Sequence, residues 1–332
     1  MSEPILSVRD LVVEFPTRRG TLRAIDKVSF DIAEGEVLGM VGESGAGKSI
    51  TGSAIIGLIE PPGRIAGGEI RLRGERIDNL PEERMRRVRG KRIGMVFQDP
   101  LTSLNPLYTI ARQLTETIRM HLPVSETEAR ERAVALLDRV GIPAARRRLD
   151  DYPHHFSGGM RQRVVIALAL AAEPELVIAD EPTTALDVSV QAQIIDVLKE
   201  ICAERGAAVM LITHDMGVIA ETADRVAVLY AGRVAEIGPV RDVIKAAEHP
   251  YTRGLMGSIP TITQTGDRLT QIPGAMPRLN AIPAGCAFNP RCPDVMPRCR
   301  SERPEPVPRP GGRQVACWLH AREGVAAGGD HG

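Results

Sequence analysis

The sequence predicts an α/β fold, a mainly parallel β-sheet with helices on its faces, and three features predict it. Short apolar runs alternate with stretches in which apolar residues recur every three or four positions. One such run, Glu36 to Gly42 (EVLGMVG), enters a glycine-rich loop that opens the next helical stretch. Another, Leu176 to Ala179, ends in the adjacent carboxylates Asp180 and Glu181, at the strand end where open parallel sheets bind ligands.

Taken in order, Ile5 to Phe15 and Leu22 to Ile32 carry the alternation of half-buried strands, and Glu36 to Gly42 is a short strand. Ser49 to Ile59 has helical spacing, and strands are expected at Gly68 to Arg73 and Arg92 to Gln98. The middle turns helical: Ile110 to Met120 and Ser125 to Val140 repeat apolar residues at three- and four-residue intervals, with Ser125 and Glu128 set as a capping box. After Asp187 the alternation resumes, with a helix over Val190 to Glu204 and strands over Ala207 to Thr213 and Val226 to Tyr230. Beyond residue 260 the pattern stops. From Pro260 onward the chain holds 11 of its 25 prolines, so a loop-rich tail in need of a staple is expected.

Composition narrows the function classes. The 332 residues carry 42 basic and 42 acidic side chains, a balance that disfavours general nucleic-acid binding, which phosphate neutralisation drives. The longest apolar run, Val164 to Ala172, falls far short of the ~20 residues that span a bilayer, and MSEPILSVRD shows no secretory signal. The expected location is the cytosol or the cytosolic face of a membrane. Arg84 to Arg92, flanked by Glu82 and Glu83 without interleaved aromatics, reads as a solvated face. His154 and His155 have no ligand spacing.

Gly42-Glu-Ser-Gly-Ala-Gly-Lys48-Ser49 fits GxxxxGK[ST] between a strand and a helix, the context that makes the pattern a phosphate loop. Its glycines let successive backbone N–H groups point inward at phosphate oxygens, and the helix start adds its positive end. Lys48 would reach the β and γ phosphates, and the Ser49 hydroxyl would ligate Mg²⁺. With that loop in hand, Asp180 becomes a second Mg²⁺ holder through water, and Glu181 the group that orients or polarises the attacking water.

The remaining signals resemble those of ABC ATPases, in the order that family requires. Phe156-Ser157-Gly158-Gly159-Met160 is similar to the LSGGQ signature, with Met160 in place of the usual Gln. Gln98 resembles the Q-loop glutamine that senses Mg²⁺ and contacts the membrane subunit, Ala185-Leu186-Asp187 the D-loop, and His214 the switch histidine. Phe15 sits where the family places an aromatic on adenine, though a plain core aromatic is the alternative. The resemblance implies an ATP site formed by Phe15, Gly42, Ser44, Gly45, Ala46, Gly47, Lys48, Ser49 and Ile50, with Ser157, Gly158, Gly159 and Asp187 serving nucleotide held against a second subunit. Glu181, His214 and Gln98 are the implied catalytic group; Ser49, Gln98 and Asp180 are the implied Mg²⁺ set.

GESGAGKS, FQDPLTSLNP, HHFSGGMRQRV and ADEPTTALDVSVQ together resemble the dipeptide/oligopeptide/nickel importer ATPases, and His249-Pro250-Tyr251-Thr252 resembles the start of that family's extra C-terminal region. The fold so implied is a P-loop NTPase (RecA-like) core over 1–98 and 164–250 with an antiparallel β subdomain, a helical subdomain over 99–163, and a metal-stapled C-terminal extension over 251–332. The implied partners are a second, non-identical ATP-binding subunit, two integral membrane permeases and, through them, an extracytoplasmic binding protein. The implied cargo is peptide, with nickel or oligosaccharide as alternatives; a soluble ABC ATPase acting on nucleic acid is a further, weaker one.

Four of the five cysteines cluster at Cys286, Cys292, Cys299 and Cys317, with gaps of five, six and seventeen residues that are unlike the CxxC pairs of zinc ribbons. Disulfides are rare in the cytosol, and four thiolates hold either Zn²⁺ or a [4Fe–4S] cluster. The family resemblance favours the iron–sulfur cluster, in a structural role, with redox sensing as the sharper alternative. Cys202, alone in an amphipathic stretch, reads as a small core residue.

Overall fold

A computed structural model describes residues 3–182, 188–257 and 272–320. Its strands run β1 (Leu6–Thr17), β2 (Gly20–Ile32), β3 (Val37–Val41), β4 (Arg64–Leu72), β5 (Glu75–Arg76), β6 (Ile93–Val96), β7 (Leu176–Asp180), β8 (Ala208–Ile212), β9 (Arg225–Tyr230), β10 (Arg233–Pro239), β11 (Val307–Arg309) and β12 (Arg313–Val315). They form two sheets, a four-stranded one in the order β2-β1-β4-β5 and an eight-stranded one in the order β11-β12-β10-β9-β3-β8-β7-β6.

In the larger sheet β9, β3, β8, β7 and β6 are parallel neighbours. Every residue of β7 and β8 is buried, because both faces of the sheet are covered. Side chains alternate between two cores. Val177, Ala179, Val209 and Leu211 face one that includes the helices Gly158–Leu170 and Val188–Arg205. Leu176, Ile178, Met210 and Ile212 face the other, which is closed by the smaller sheet and the helix Lys48–Ile55.

The smaller sheet is antiparallel and amphipathic. Leu6, Val8, Leu11 and Val13 of β1 and Ile25, Val28, Phe30 and Ile32 of β2 are all buried. Bulges between Val8 and Glu14 let β1 keep its apolar face inward while pairing with both neighbours. On the opposite side Gly94 permits a close approach: a Cβ there would lie 2.2 Å from the Ala169 carbonyl oxygen, so the helix Gly158–Leu170 rests directly on β6.

The helical segment inserted after β6 holds Ile110–His121 and Glu126–Arg139. Thr109 and Ser125 cap these helices by accepting from the N–H groups of Arg112 and Glu128. Ile110, Leu114, Ile118, Ala133 and Leu137 fill the helical end of the first core. The Arg84–Arg92 face is laced with ion pairs, Arg84 and Arg92 to Glu75 and Arg89 to Glu82.

The C-terminal segment is loop-rich, as expected, but it is not without strands. β11 and β12 form a hairpin that extends the large sheet, with β12 antiparallel to β10. Phe288 packs edge-on to Tyr230 and beside Tyr251, and Arg303 pairs with Asp26 at 2.6 Å. The metal staple expected here finds no support: among the described residues no three His, Cys, Asp or Glu side chains are grouped to hold a metal ion. Strand pairing, an aromatic cluster and ion pairs hold the described part of the tail.

Glu236 on β10 is fully buried and accepts from the backbone N–H groups of Glu248 and His249, at 3.1 and 2.9 Å, anchoring the chain that leads into the helix Pro250–Gly257. Glu236→Ala leaves the buried His249 N–H and the half-buried Glu248 N–H without this acceptor and should destabilise the protein by about 1–3 kcal/mol, read as a lowered midpoint in urea unfolding.

Candidate functional site

The parallel strands deliver their C-terminal ends to one edge. β3 leads into Gly42, β7 ends at Asp180, β8 is followed by Thr213 and His214, and β6 by Phe97 and Gln98. Gly42 is obligatory at the turn: its φ is +151°, and a Cβ would lie 2.3 Å from the Leu229 carbonyl oxygen. Gly47, at φ +106°, starts the helix Lys48–Ile55.

Lys48 is buried, and its Nζ donates to the carbonyls of Gly42 at 2.8 Å and Glu43 at 3.3 Å. Burial pushes the Lys48 pKa down, and the carboxylates of Glu181 and Asp180 work against that fall. The ammonium thus rests on the loop's own carbonyls, ready to turn toward a polyanion. Asp180 accepts from the Ser49 hydroxyl at 2.9 Å. Burial raises the Asp180 pKa, and the Ser49 hydrogen bond and Lys48 oppose that rise. A hydroxyl beside a carboxylate suits a hard, oxygen-seeking cation such as Mg²⁺.

Glu181 lies at the centre of the edge, with a positive φ of 45° that turns its side chain out of the strand direction. Its Oε2 accepts from Gln98 Nε2 at 3.1 Å, and its Oε1 lies 3.4 Å from His214 Nδ1. His214 is largely exposed, whereas Asp215 next to it caps the helix Met216–Thr222 through the N–H groups of Gly217 and Val218.

A cleft of about 640 Å³ opens at this edge, within the ~300–1,000 Å³ typical of ligand sites; Asp180 and His214 reach it through their contacts with Ser49 and Glu181. Ser44, Gly45, Gly47, Lys48, Ser49, Ile50, Gln98 and Glu181 are on its walls. Ala46 is fully buried behind the loop. Phe15 does not line the cleft; it packs half-buried against the second core, and its cross-strand partner Leu22 faces the cleft. Ser157, Gly158 and Gly159 stand apart from it: Ser157 caps the helix Gly158–Leu170, accepting from Met160 N–H, and a Cβ at Gly158 would meet nothing within 4 Å. Asp187 lies outside the described residues.

Two contributors were not legible in the sequence. One is the segment Met276 to Asn280, which forms part of the cleft wall. The other is Arg291, whose guanidinium forms a bidentate pair with Glu43 of the phosphate loop, at 2.6 and 2.9 Å across 248 residues of chain. Arg291 is buried, stacks near Tyr230 and Phe288, and has its pKa raised mainly by the Glu43 hydrogen bonds. Tyr251 accepts from the Glu43 N–H at 2.8 Å, so the tail grips the loop by both the backbone and the side chain of one residue. A Glu in a glycine-rich loop carries no local mark of an ion pair, which is why sequence reasoning passed it by.

Cys286, Cys292, Cys299 and Cys317 are free thiols that line one small enclosed cavity together with His249, Phe288 and Trp318. Burial pushes the Cys286 and Cys292 thiols up and that of Cys317 up to about 11, with the neighbouring thiols adding to the rise. Cys202 is a buried core residue whose thiol burial pushes up to about 12.

A parallel sheet that presents a lysine-bearing amide loop, a hydroxyl–carboxylate pair and a Gln–Glu–His group along one edge defines a P-loop nucleotide-binding cassette. Residues 25–184 match the family described as ABC transporter, and residues 235–299 match the oligopeptide/dipeptide transporter C-terminal region. The dipeptide transport ATP-binding protein DppD of Bacillus subtilis is 48% identical over 96% of this chain and 95% of its own. DppD of Escherichia coli is 45% identical over 94% and 96%. Among solved structures, the dimeric post-hydrolysis state of the ATP-binding cassette MJ0796 with ADP and Pi superposes with a TM-score of 0.65 at 29% identity, over 71% of this chain and 99% of that one. The chain belongs to the ATP-binding subunits of ABC transporters, in the branch that carries the oligopeptide/dipeptide C-terminal region.

Arg291→Met would free Glu43, remove the grip on Pro273 O and Gly274 O, and leave the Tyr251–Glu43 bond as the remaining tie. A loss of about 2–4 kcal/mol is expected, measured by chemical denaturation, with earlier proteolytic cleavage of the tail.

Proposed function

We propose that this chain is the ATP-hydrolysing subunit of an importer that carries peptides across the cytoplasmic membrane. The observation that carries the reading is a cleft lined by Lys48, Ser49, Gln98 and Glu181, with Asp180 behind Ser49 and His214 beside Glu181. Lys48 would leave its carbonyl partners for the β and γ phosphates. Ser49 and Asp180, with Gln98, would hold Mg²⁺, which supplies charge neutralisation across the phosphates. Glu181 would take the proton of the water that attacks the γ-phosphorus as the bond to ADP breaks, and His214 would position Glu181 and the γ-phosphate. Glu181→Gln should lower turnover by about 10²–10⁴-fold while ATP-dependent dimerisation persists; Lys48→Ala should weaken nucleotide binding itself. Parental turnover in Glu181→Gln would reject the assignment.

At a capped helix start away from the chain's own cleft, the signature residues Ser157 and Gly158 are exposed and Gly159 is half-buried. That placement supports a role, with Asp187, toward nucleotide bound by a second ATP-binding subunit, one not identical to this chain. Phe15 on adenine remains part of the proposal through its place beside Leu22. No helix among the described residues is long and apolar enough to cross a membrane, so attachment would run through two permease subunits, and through them to an extracytoplasmic binding protein. Leu101 and Leu107, 64% and 79% exposed just beyond Gln98, supply apolar surface for that docking. The names of the relatives favour peptide over nickel or oligosaccharide. Uptake of labelled dipeptide in a deletion strain, restored by this chain and not by Glu181→Gln, tests the cargo.

The four cysteines are proposed to hold a [4Fe–4S] cluster. What supports it is their convergence on one enclosed cavity as free thiols. A four-iron cluster binds each of four thiolates to a different iron atom, so all four cysteines would be used. Protein purified without oxygen should be brown, absorb near about 400 nm and contain iron and sulfide. Colourless protein loaded with zinc would reject the cluster.

A further inference from the structure

The C-terminal segment supplies five consecutive residues to the nucleotide cleft. Met276, Pro277, Arg278, Leu279 and Asn280 line it together with Gly45, Lys48 and Ser49. They do not drift there by chance of a loose loop. Arg291 Nε donates to Pro273 O at 2.9 Å and Nη2 to Gly274 O at 3.4 Å, just before the segment, while Nη1 and Nη2 hold Glu43 of the phosphate loop. Met276 packs against both cores, and the turn closes with Ala281 N–H donating to Arg278 O at 2.8 Å. One buried guanidinium therefore ties the segment to the loop that would cradle phosphate.

The charge pattern gives the segment its chemistry. Arg278 is exposed, and no carboxylate pairs with it among the contacts of the described residues. Glu181 on the cleft wall and Asp180 behind Ser49 are already engaged, with Gln98 and His214 and with Ser49 respectively. A cation held on the wall of a phosphate site without an anion of its own is placed for a nucleotide phosphate. We infer that Met276–Asn280 is a second nucleotide-binding element of this chain, in which Arg278 binds a phosphate of the nucleoside triphosphate and the extension thereby senses occupancy of the site. This rests on the nucleotide reading above, and it assigns to the tail a direct contact with the nucleotide.

The test uses the full chain and Mg–ATP. Arg278→Ala should weaken ATP binding about five- to twenty-fold, and Arg278→Glu more, an effect in the range of one charge-assisted hydrogen bond. The side chain makes no described hydrogen bond or ion pair, so both variants should keep the parental melting temperature. As an independent readout, Mg–ATP should protect the Arg278–Leu279 bond from trypsin in the parental protein and fail to do so in Lys48→Ala. If Lys48→Ala loses binding while both Arg278 variants bind like the parent and the bond stays cleavable with ATP present, the inference is overturned. If Lys48→Ala also binds like the parent, the nucleotide reading itself is what has failed.

Discussion

The site depends on the parallel pairing of β3 with β8, β8 with β7 and β7 with β6. Parallel strands present all their C-terminal ends on one edge, so the loop after β3, the carboxylates after β7, the histidine after β8 and the glutamine after β6 become neighbours. Reversing any one strand would move its functional residue to the far edge of the sheet. The price is burial on both faces, which the two cores meet with continuous apolar strands. Fold and chemistry are two consequences of that pairing.

Electrostatics at the edge follow from burial. Lys48 and Asp180 are both desolvated, and desolvation disfavours the charged form of each, lowering the pKa of the first and raising that of the second. Glu181 and Asp180 resist the shift at Lys48, and Ser49 with Lys48 resist that at Asp180, to which Glu181 adds. A site built this way holds charge that is under-compensated until a triphosphate and its cation arrive, so binding relieves a cost already present in the fold. Glu181 is positioned from two sides, by Gln98 and by His214, which come from strands on either flank of β7.

The C-terminal segment alters the usual picture of a cassette with an appendage. It continues the large sheet through β12, seals an aromatic cluster with Phe288, and reaches back to Asp26 and Glu43 through Arg303 and Arg291. Since Glu43 lies inside the phosphate loop, the tail and the loop share a structural element. A change in one has a direct mechanical route to the other, through a single ion pair and the Tyr251 hydroxyl.

Much of this was legible in the amino-acid order. Local rules decide whether a run such as Leu176 to Asp180 is a buried strand, whether Ser125 caps a helix, and whether Gly42 to Ser49 is a phosphate loop, and the structure realises them with boundaries shifted by a few residues. The strands β5, β10, β11 and β12 were missed: β5, β11 and β12 are two or three residues long, too short to show alternation, and β10 is buried between its two ends and finishes in Gly-Pro. Glu43 with Arg291 and Met276 to Asn280 on the cleft wall were decided by the tertiary structure alone, whereas the grouping of the four cysteines was anticipated from their clustering in the sequence. Periodicity and motif spacing are properties of neighbours in the chain; an ion pair across 248 residues is a property of packing, and nothing local encodes it.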